Sequence, residues 1–171
     1  MAEVCSDAHL SFLRMEDYIN ISTLNDFVFC PYSIYLQGVY MDTDEWQYKA
    51  SPQAQGKVAH STVDNKTASN RANDILSLPV YSEEYGLMGK IDLYKRKEKK
   101  LIERKFQLKQ IFQGQIYQLW AQMLCLKEMG YEVESLAFYE ISKNKMIPVA
   151  MPTESDLQNF RNFTSRFRSF K

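Results

Sequence analysis

The sequence lacks any run of about twenty apolar residues, the length that a helix needs to cross a membrane. Its N-terminus has no apolar core stretch, so we expect no signal peptide. The three cysteines, Cys5, Cys30 and Cys125, are an odd number and lack the spacing of zinc ligands. These absences argue against a membrane protein and a zinc module, and they predict a protein of the reducing cytoplasm.

What the chain does contain is enough apolar material for one folded domain. A hydrophobic content of 45% and an aromatic content of 13% argue against disorder, and 171 residues suit a single domain with a sizeable core. No repeat, low-complexity tract or interdomain linker divides the chain. We therefore expect one domain over 1–171, with a helical part at about 20–77, a sheet and helix core at about 78–150 and a C-terminal helix at about 155–171.

The spacing of apolar residues predicts alternating helices and strands. Helices are expected at 22–28, 31–37, 52–63, 109–129 and 156–170. Strands are expected at 78–84, 87–94, 101–106, 133–141 and 146–150. Ser22 is a plausible N-cap of the first helix, and Gly130 is a C-cap signal for the long one. This order predicts an α/β fold with a mixed central sheet flanked by helices.

The last predicted helix carries Phe160, Phe163, Phe167 and Phe170 on one face. Such a stripe fits either core packing or a platform for nucleic-acid bases. We interpret it as core packing, because aromatic residues on a single helix face are more often buried.

The predicted strands 87–94 and 101–106 flank a short charged turn and are typical of a β-hairpin. Side chains alternate along a strand, so Glu103 and Lys105 share one face. A turn centred midway between the two strands sets Asp92 opposite Glu103, with Cβ atoms about 5 Å apart. Two carboxylates and an ammonium group are therefore expected on one patch of sheet.

A Glu-x-Lys pair on an isolated strand usually marks only a solvated face. Here Leu101, Ile102 and Phe106 flank the pair, and a charge in a run suited to burial needs a partner or a metal. Carboxylate oxygens suit Mg²⁺ or Mn²⁺, and a lysine can hold a water beside the metal. The pattern predicts a metal-dependent hydrolase, with phosphodiesters as the expected substrate.

Positive charge is concentrated on this hairpin. Residues 90–109 hold nine basic and three acidic residues, although the whole chain has a formal net charge of zero. That distribution suits an anionic polymer drawn to the site. For the residues from Lys97 to Lys100, at the turn, we favour a simple role in solubility.

Two neighbouring segments carry further candidate residues. His60, on the helix before the hairpin, is either a surface or core histidine or a ligand that completes the coordination begun by Asp92 and Glu103. Gln118 and Gln122 lie one turn apart on the long helix and share a face. Their amides either hold a phosphate, a water or the lysine of the hairpin, or are ordinary surface glutamines.

Four motifs occur in the order seen in RecB-like nucleases of the PD-(D/E)XK superfamily. They are Gly-x-x-x-His at 56–60, Gly-x-x-Asp at 89–92, Glu-x-Lys at 103–105 and Gln-x-x-x-Gln at 118–122. Within that group the chain resembles the fourth CRISPR-associated protein family, the nuclease of the spacer-acquisition module, over roughly 20–150. The string Phe29-Cys30-Pro31-Tyr32 and the helix segment 118–129 support the resemblance.

The resemblance implies a PD-(D/E)XK core and a Mg²⁺- or Mn²⁺-dependent deoxyribonuclease. Such an enzyme acts on single-stranded ends or overhangs and processes prespacer DNA with the CRISPR integrase complex. The implied metal ligands are His60, Asp92, Glu103 and the main-chain carbonyl of Arg104. The implied role of Lys105 is to orient or deprotonate the attacking water, and Gln118 and Gln122 would support the substrate or that lysine. Candidate DNA contacts are Lys90, Arg104, Lys109 and Tyr117.

Relatives commonly bind an iron–sulfur cluster through one cysteine of a Cys-Pro motif and three cysteines near the C-terminus. Cys30 matches the first of these, but no cysteine follows Cys125, so a four-cysteine cluster cannot form in this chain by itself. The chain is then either a cluster-free variant or one that lacks a C-terminal segment.

Two other functions stay open beside the CRISPR nuclease. One is a RecB-like nuclease of DNA repair or restriction. The other belongs to a different class, a partner-binding subunit of the integrase complex whose catalysis is dispensable.

Overall fold

The computed structural model describes residues 18–39 and 73–170. The predicted helix at 52–63, with His60, lies outside the described residues. The described elements, in chain order, are β1 (Ile19–Asn20), a 3₁₀ helix (Ile21–Thr23), α1 (Leu24–Phe29), α2 (Tyr32–Val39), β2 (Asp74–Leu76), β3 (Pro79–Ser82), β4 (Leu87–Lys90), β5 (Leu93–Lys95), β6 (Lys100–Lys105), α3 (Gln113–Glu128), β7 (Ser135–Glu140), β8 (Lys145–Val149) and α4 (Glu154–Ser169).

The strands form two mixed sheets flanked by helices, which confirms the predicted α/β class. One sheet has the order β1-β4-β3, and the other has the order β2-β5-β6-β7-β8. The pairs β1–β4 and β6–β7 are parallel, whereas the remaining neighbours are antiparallel. None of the helices in the described ranges combines the length and apolar character that crossing a bilayer requires.

The prediction of one strand over 87–94 is wrong, because β4 and β5 belong to different sheets. The antiparallel pairs β3–β4 and β2–β5 nevertheless share one register, and the main-chain nitrogen of Ile91 donates to the oxygen of Leu78 between them at 3.0 Å. These two pairs form one continuous antiparallel ribbon, which passes from one sheet to the other at Ser77, where φ is 52°. The main-chain oxygen of Asp92 accepts from the nitrogen of Ser77 at 3.3 Å, so the aspartate lies at the bend.

Helix α3 is the central helix of the fold. It packs against α1, β3, β4 and β6, and every residue from Gln118 to Leu126 is buried. It ends at Glu128, and the predicted C-cap signal Gly130 follows, whose φ of 88° lets the nitrogen of Tyr131 donate back to the oxygen of Leu126 at 2.9 Å. The helix begins later than predicted, since the preceding segment is tied to β7 by a hydrogen bond from the nitrogen of Leu108 to Glu140.

The aromatic stripe of α4 packs into the core, as predicted. Phe160 and Phe167 are buried. The ring of Phe167 lies 4.6 Å from that of Phe27 on α1, and the ring of Phe160 lies 5.3 Å from that of Tyr117 on α3. The last helix is thereby attached to both α1 and α3.

Gly114, near the start of α3, marks a close approach to α1. A Cβ at this position would lie 2.7 Å from Oδ1 of Asn25 and 2.8 Å from its Cα. Alanine in place of glycine favours an exposed helix by about 1 kcal/mol, but overpacking a core costs about 1–3 kcal/mol. Because a main-chain atom cannot yield alone, we expect Gly114→Ala to lower the free energy of unfolding by about 1–2 kcal/mol. Urea denaturation measures this, and an unchanged or higher free energy of unfolding would contradict the contact.

Candidate functional site

A cavity of about 420 Å³ lies where the two sheets meet α3 and the 3₁₀ helix. It collects most of the predicted site residues, although they come from separate elements of the chain. Its lining residues are Asn20, Ile21, Ser22, Gly89, Lys90, Asp92, Glu103, Lys105, Gln118 and Gln122.

Asp92 and Glu103 are the two buried carboxylates of the cavity, and each is only 6% exposed. The pairing of Leu93 with Ile102 sets the register that places Asp92 opposite Glu103, as the hairpin pattern predicts. Oδ2 of Asp92 accepts from the main-chain nitrogen of Arg104 at 2.8 Å. This bond replaces water that burial removes, so the carboxylate stays satisfied beside the second acid.

Lys105 is held between a carboxylate and an amide. Its Nζ donates to Oε1 of Glu103 at 2.9 Å and to Oε1 of Gln118 at 3.5 Å. Burial lowers the pKa of Lys105, but the negative charges of Glu103 and Asp92 outweigh that effect and raise the pKa above its ordinary value. The lysine is therefore a positioned ammonium group.

Gln118 and Gln122 of α3 share the cavity face, as their spacing predicts, but they have different partners. Nε2 of Gln118 donates to the main-chain oxygen of Ser22 at 3.0 Å. Nε2 of Gln122 donates to Oε2 of Glu103 at 2.8 Å and to the main-chain oxygen of Lys90 at 3.4 Å. One amide thus contacts the lysine, and the other contacts the acid.

The segment at 20–22 was not predicted to belong to the site, but it lines the cavity. Ser22 is not the N-cap of a helix. Instead, Asn20 caps the 3₁₀ helix, because its Oδ1 accepts from the main-chain nitrogen of Ser22 at 3.1 Å. Asparagine is a favoured N-cap residue, so this signal was present in the sequence. A Cβ on Gly89 would lie 3.0 to 3.2 Å from the side chain of Ile21. The glycine of Gly-x-x-Asp therefore lets β4 approach this segment.

Three of the predicted DNA contacts lie outside the cavity lining. The guanidinium of Arg104 lies 5.9 Å from the centre of the Tyr139 ring, and Lys109 is exposed beyond β6. The ring of Tyr117 packs against Phe163 at 4.7 Å, inside the aromatic cluster. Of the four candidates only Lys90 lines the cavity.

Lysines at the hairpin turn form surface ion pairs. Nζ of Lys99 contacts Oε1 of Glu134 at 2.7 Å, and Glu98 contacts Lys95 and Lys100 at 3.2 and 3.1 Å. These contacts support the interpretation of the turn charges as a solvated surface.

The two described cysteines occupy unlike positions. Cys30 is exposed after α1, whereas Cys125 is buried in α3, where burial raises the pKa of its thiol to about 12. Cys125 therefore fills the core as an apolar residue. Cys5 lies outside the described residues.

Asp92 and Glu103 fit a hard divalent cation by the chemistry of their donor atoms. In the part of the chain that the structure describes, no three His, Cys, Asp or Glu side chains form a group that could hold a metal, and His60 lies outside that part. Mg²⁺ is commonly bound through one or two carboxylates, with waters at its remaining positions. Two carboxylates facing a cavity with room for water meet that requirement.

No protein-family model matches the chain. No curated protein matches it either. Among solved structures the chain is similar to the crystal structure of SSO0001, with a TM-score of 0.61 and a sequence identity of 16%. The similarity covers 95% of this chain and 81% of that one. At this identity it supports the fold alone, a mixed α/β architecture.

Proposed function

We propose that this chain is a Mg²⁺- or Mn²⁺-dependent deoxyribonuclease built on a RecB-like PD-(D/E)XK core. The observation that carries the proposal is the meeting of Asp92, Glu103 and Lys105 in one cavity, with every side chain held by a neighbour. Hard oxygen ligands beside a fixed ammonium group suit the hydrolysis of an anionic ester. The order of the four sequence motifs supports the assignment of this chemistry to a RecB-like nuclease.

The residues would divide the work of hydrolysis. Asp92 and Glu103 would hold the cation, which supplies Lewis-acid stabilisation of the charge developing on the phosphoryl oxygens. Lys105 would donate to the attacking water and fix its position. The water oxygen bonds to phosphorus while the bond from phosphorus to one sugar oxygen breaks. The water gives up its proton to solvent, and the released sugar oxygen takes one from solvent.

The proposed substrate is prespacer DNA with single-stranded ends or overhangs, cut in the cytoplasm with the CRISPR integrase complex as partner. Support for the CRISPR context comes from the four ordered motifs and the two matching strings.

The test is cleavage of labelled DNA with 5′ or 3′ overhangs, with blunt duplex of the same sequence as the control. We expect cleavage of at least one overhang with Mn²⁺ or Mg²⁺, none with EDTA, and recovery when metal is added in excess. Undiminished cleavage in EDTA, or no cleavage of either overhang with either metal, would contradict the proposal.

The same substrates separate the CRISPR role from repair or restriction. Added integrase complex should change the length to which overhangs are trimmed if the chain acts in spacer acquisition. A product pattern indifferent to the integrase would favour the RecB-like nuclease of repair or restriction.

A further inference from the structure

The amide of Gln122 links the two sheets. It bonds to the carboxylate of Glu103 on β6 and to the main chain of Lys90 at the end of β4. Its nitrogen carries two hydrogens, and two acceptors lie within reach, Oε2 of Glu103 at 2.8 Å and the main-chain oxygen of Lys90 at 3.4 Å. Gln122 is only 3% exposed, so bulk water competes poorly for these bonds.

We propose that Gln122 is a positioning residue that fixes the carboxylate plane of Glu103 and thereby strengthens the binding of a divalent cation. This inference rests on the proposed function. It makes Glu103 the group that Gln122 positions, in place of Lys105 or the substrate.

The carboxylate of Glu103 needs contacts at both oxygens to keep one orientation. The last torsion of a glutamate side chain is broad, so a single hydrogen bond leaves the carboxylate plane free to turn. Lys105 holds Oε1 at 2.9 Å, and Gln122 holds Oε2 at 2.8 Å. A carboxylate has about four acceptor sites, so these two hydrogen bonds are compatible with metal binding by the same group.

A neutral donor is the suitable partner for a metal-binding carboxylate. An amide fixes the carboxylate without adding positive charge, whereas a second ammonium group would repel the cation. Groups that hold a metal ligand in place typically change the metal affinity by about 10- to 100-fold when they are removed.

The amide oxygen of Gln122 indicates that stabilising the fold is not the main role of this side chain. Its Oε1 is buried and has no hydrogen-bond partner within the described residues. A buried polar atom without a partner costs free energy, and an apolar side chain of similar length would avoid that cost but would take this donor away from Glu103 and from the carbonyl of Lys90. The donor end, directed at Glu103, is the part that such a residue would not replace.

The test is the Kd for Mn²⁺ of the full chain without DNA, measured by isothermal titration calorimetry. Gln122→Met removes the donor and keeps the side-chain length, and we expect it to weaken Mn²⁺ binding by about 10-fold or more. Excess Mn²⁺ should restore most of its cleavage rate. The matched control is Gln113→Met, the same change at the exposed first residue of α3, outside the cavity lining, and it is not expected to weaken Mn²⁺ binding.

A folded Gln122→Met that binds Mn²⁺ as tightly as the wild type would overturn this inference and leave the nuclease proposal standing. A wild-type chain that binds no Mn²⁺ would overturn both. If Gln122→Met fails to fold in urea denaturation, Gln122→Asn replaces it, because it keeps the amide but shortens its reach by one methylene. Unchanged Mn²⁺ affinity in that variant is an equally decisive contradiction.

Discussion

If the chain is the proposed nuclease, Asp92→Asn is expected to lower the rate of DNA cleavage by more than about 100-fold, because it removes one of the two charges that would hold the cation. The substitution keeps the size of the side chain, and its remaining oxygen can still accept from the main-chain nitrogen of Arg104. The cleavage rate at saturating DNA and Mn²⁺ measures the effect, and circular dichroism checks the fold. Undiminished cutting would refute the assignment of the site.

Glu140 offers a matched control for this substitution. It is also a buried carboxylate, and it accepts from the main-chain nitrogen of Leu108 at 3.1 Å. Its position on β7 lies opposite that of Lys105 on β6 in the strand register. It does not line the cavity. Glu140→Gln should therefore keep most of the cleavage rate while lowering the thermal midpoint. An equal loss of cleavage in both variants would indicate a general effect of neutralising buried acids.

Asp92→Asn is also a cleaner test than the corresponding change at Glu103. In Glu103→Gln one end of the new amide is a donor, and it must face either Lys105 or Gln122, both of which donate to the native carboxylate. That conflict disturbs the surrounding groups in addition to removing the charge. Lost cleavage in Glu103→Gln therefore combines a chemical and a structural cause.

Phe160→Ala is expected to lower the free energy of unfolding by about 3–5 kcal/mol, the usual cost of removing a buried phenylalanine. Phe160 is 0% exposed and packs against Tyr117 of α3, so the truncation leaves a cavity between α3 and α4. Urea denaturation measures the loss, which is a large share of the stability of about 5–15 kcal/mol found for most domains.

Phe170→Ala is the control at the end of the same stripe. This residue is 38% exposed, although its ring still touches those of Phe27 and Tyr32. We expect a loss of about 1 kcal/mol or less, because water fills the space that the ring leaves. Similar losses in the two variants would contradict the inward orientation of the stripe.

Local regularities in the sequence were enough for several parts of the fold and site. A symmetric hairpin turn determines which residues of its strands face each other, so Asp92 could be placed opposite Glu103. The helical period placed Gln118 and Gln122 on one face of α3, and it placed the phenylalanines of α4 on one face of that helix. Gly130 could be recognised as a helix end, since glycine readily adopts a positive φ.

Other features involve contacts that no local period encodes. The ribbon bends where Ser77, a residue without a strong preference for positive φ, adopts a φ of 52°. The apolar run from Leu87 to Tyr94, on the strand paired with this bend, continues without a break, so the sequence predicted a single strand there. The partner of Gln118 is the carbonyl of Ser22, 96 residues away. Only the packing of α3 against the 3₁₀ helix brings these two groups together.

By itself the sequence determined which acids and which lysine share a face, because neighbouring positions on one hairpin and one helix are related by backbone geometry alone. The tertiary structure decided how those side chains are held. Gln118 donates to Ser22 of the 3₁₀ helix, whereas Gln122 donates to Glu103 of β6. The physical reason is that a hydrogen-bond partner depends on the distance and direction between two elements, which are set by core packing and not by the spacing of residues along either element.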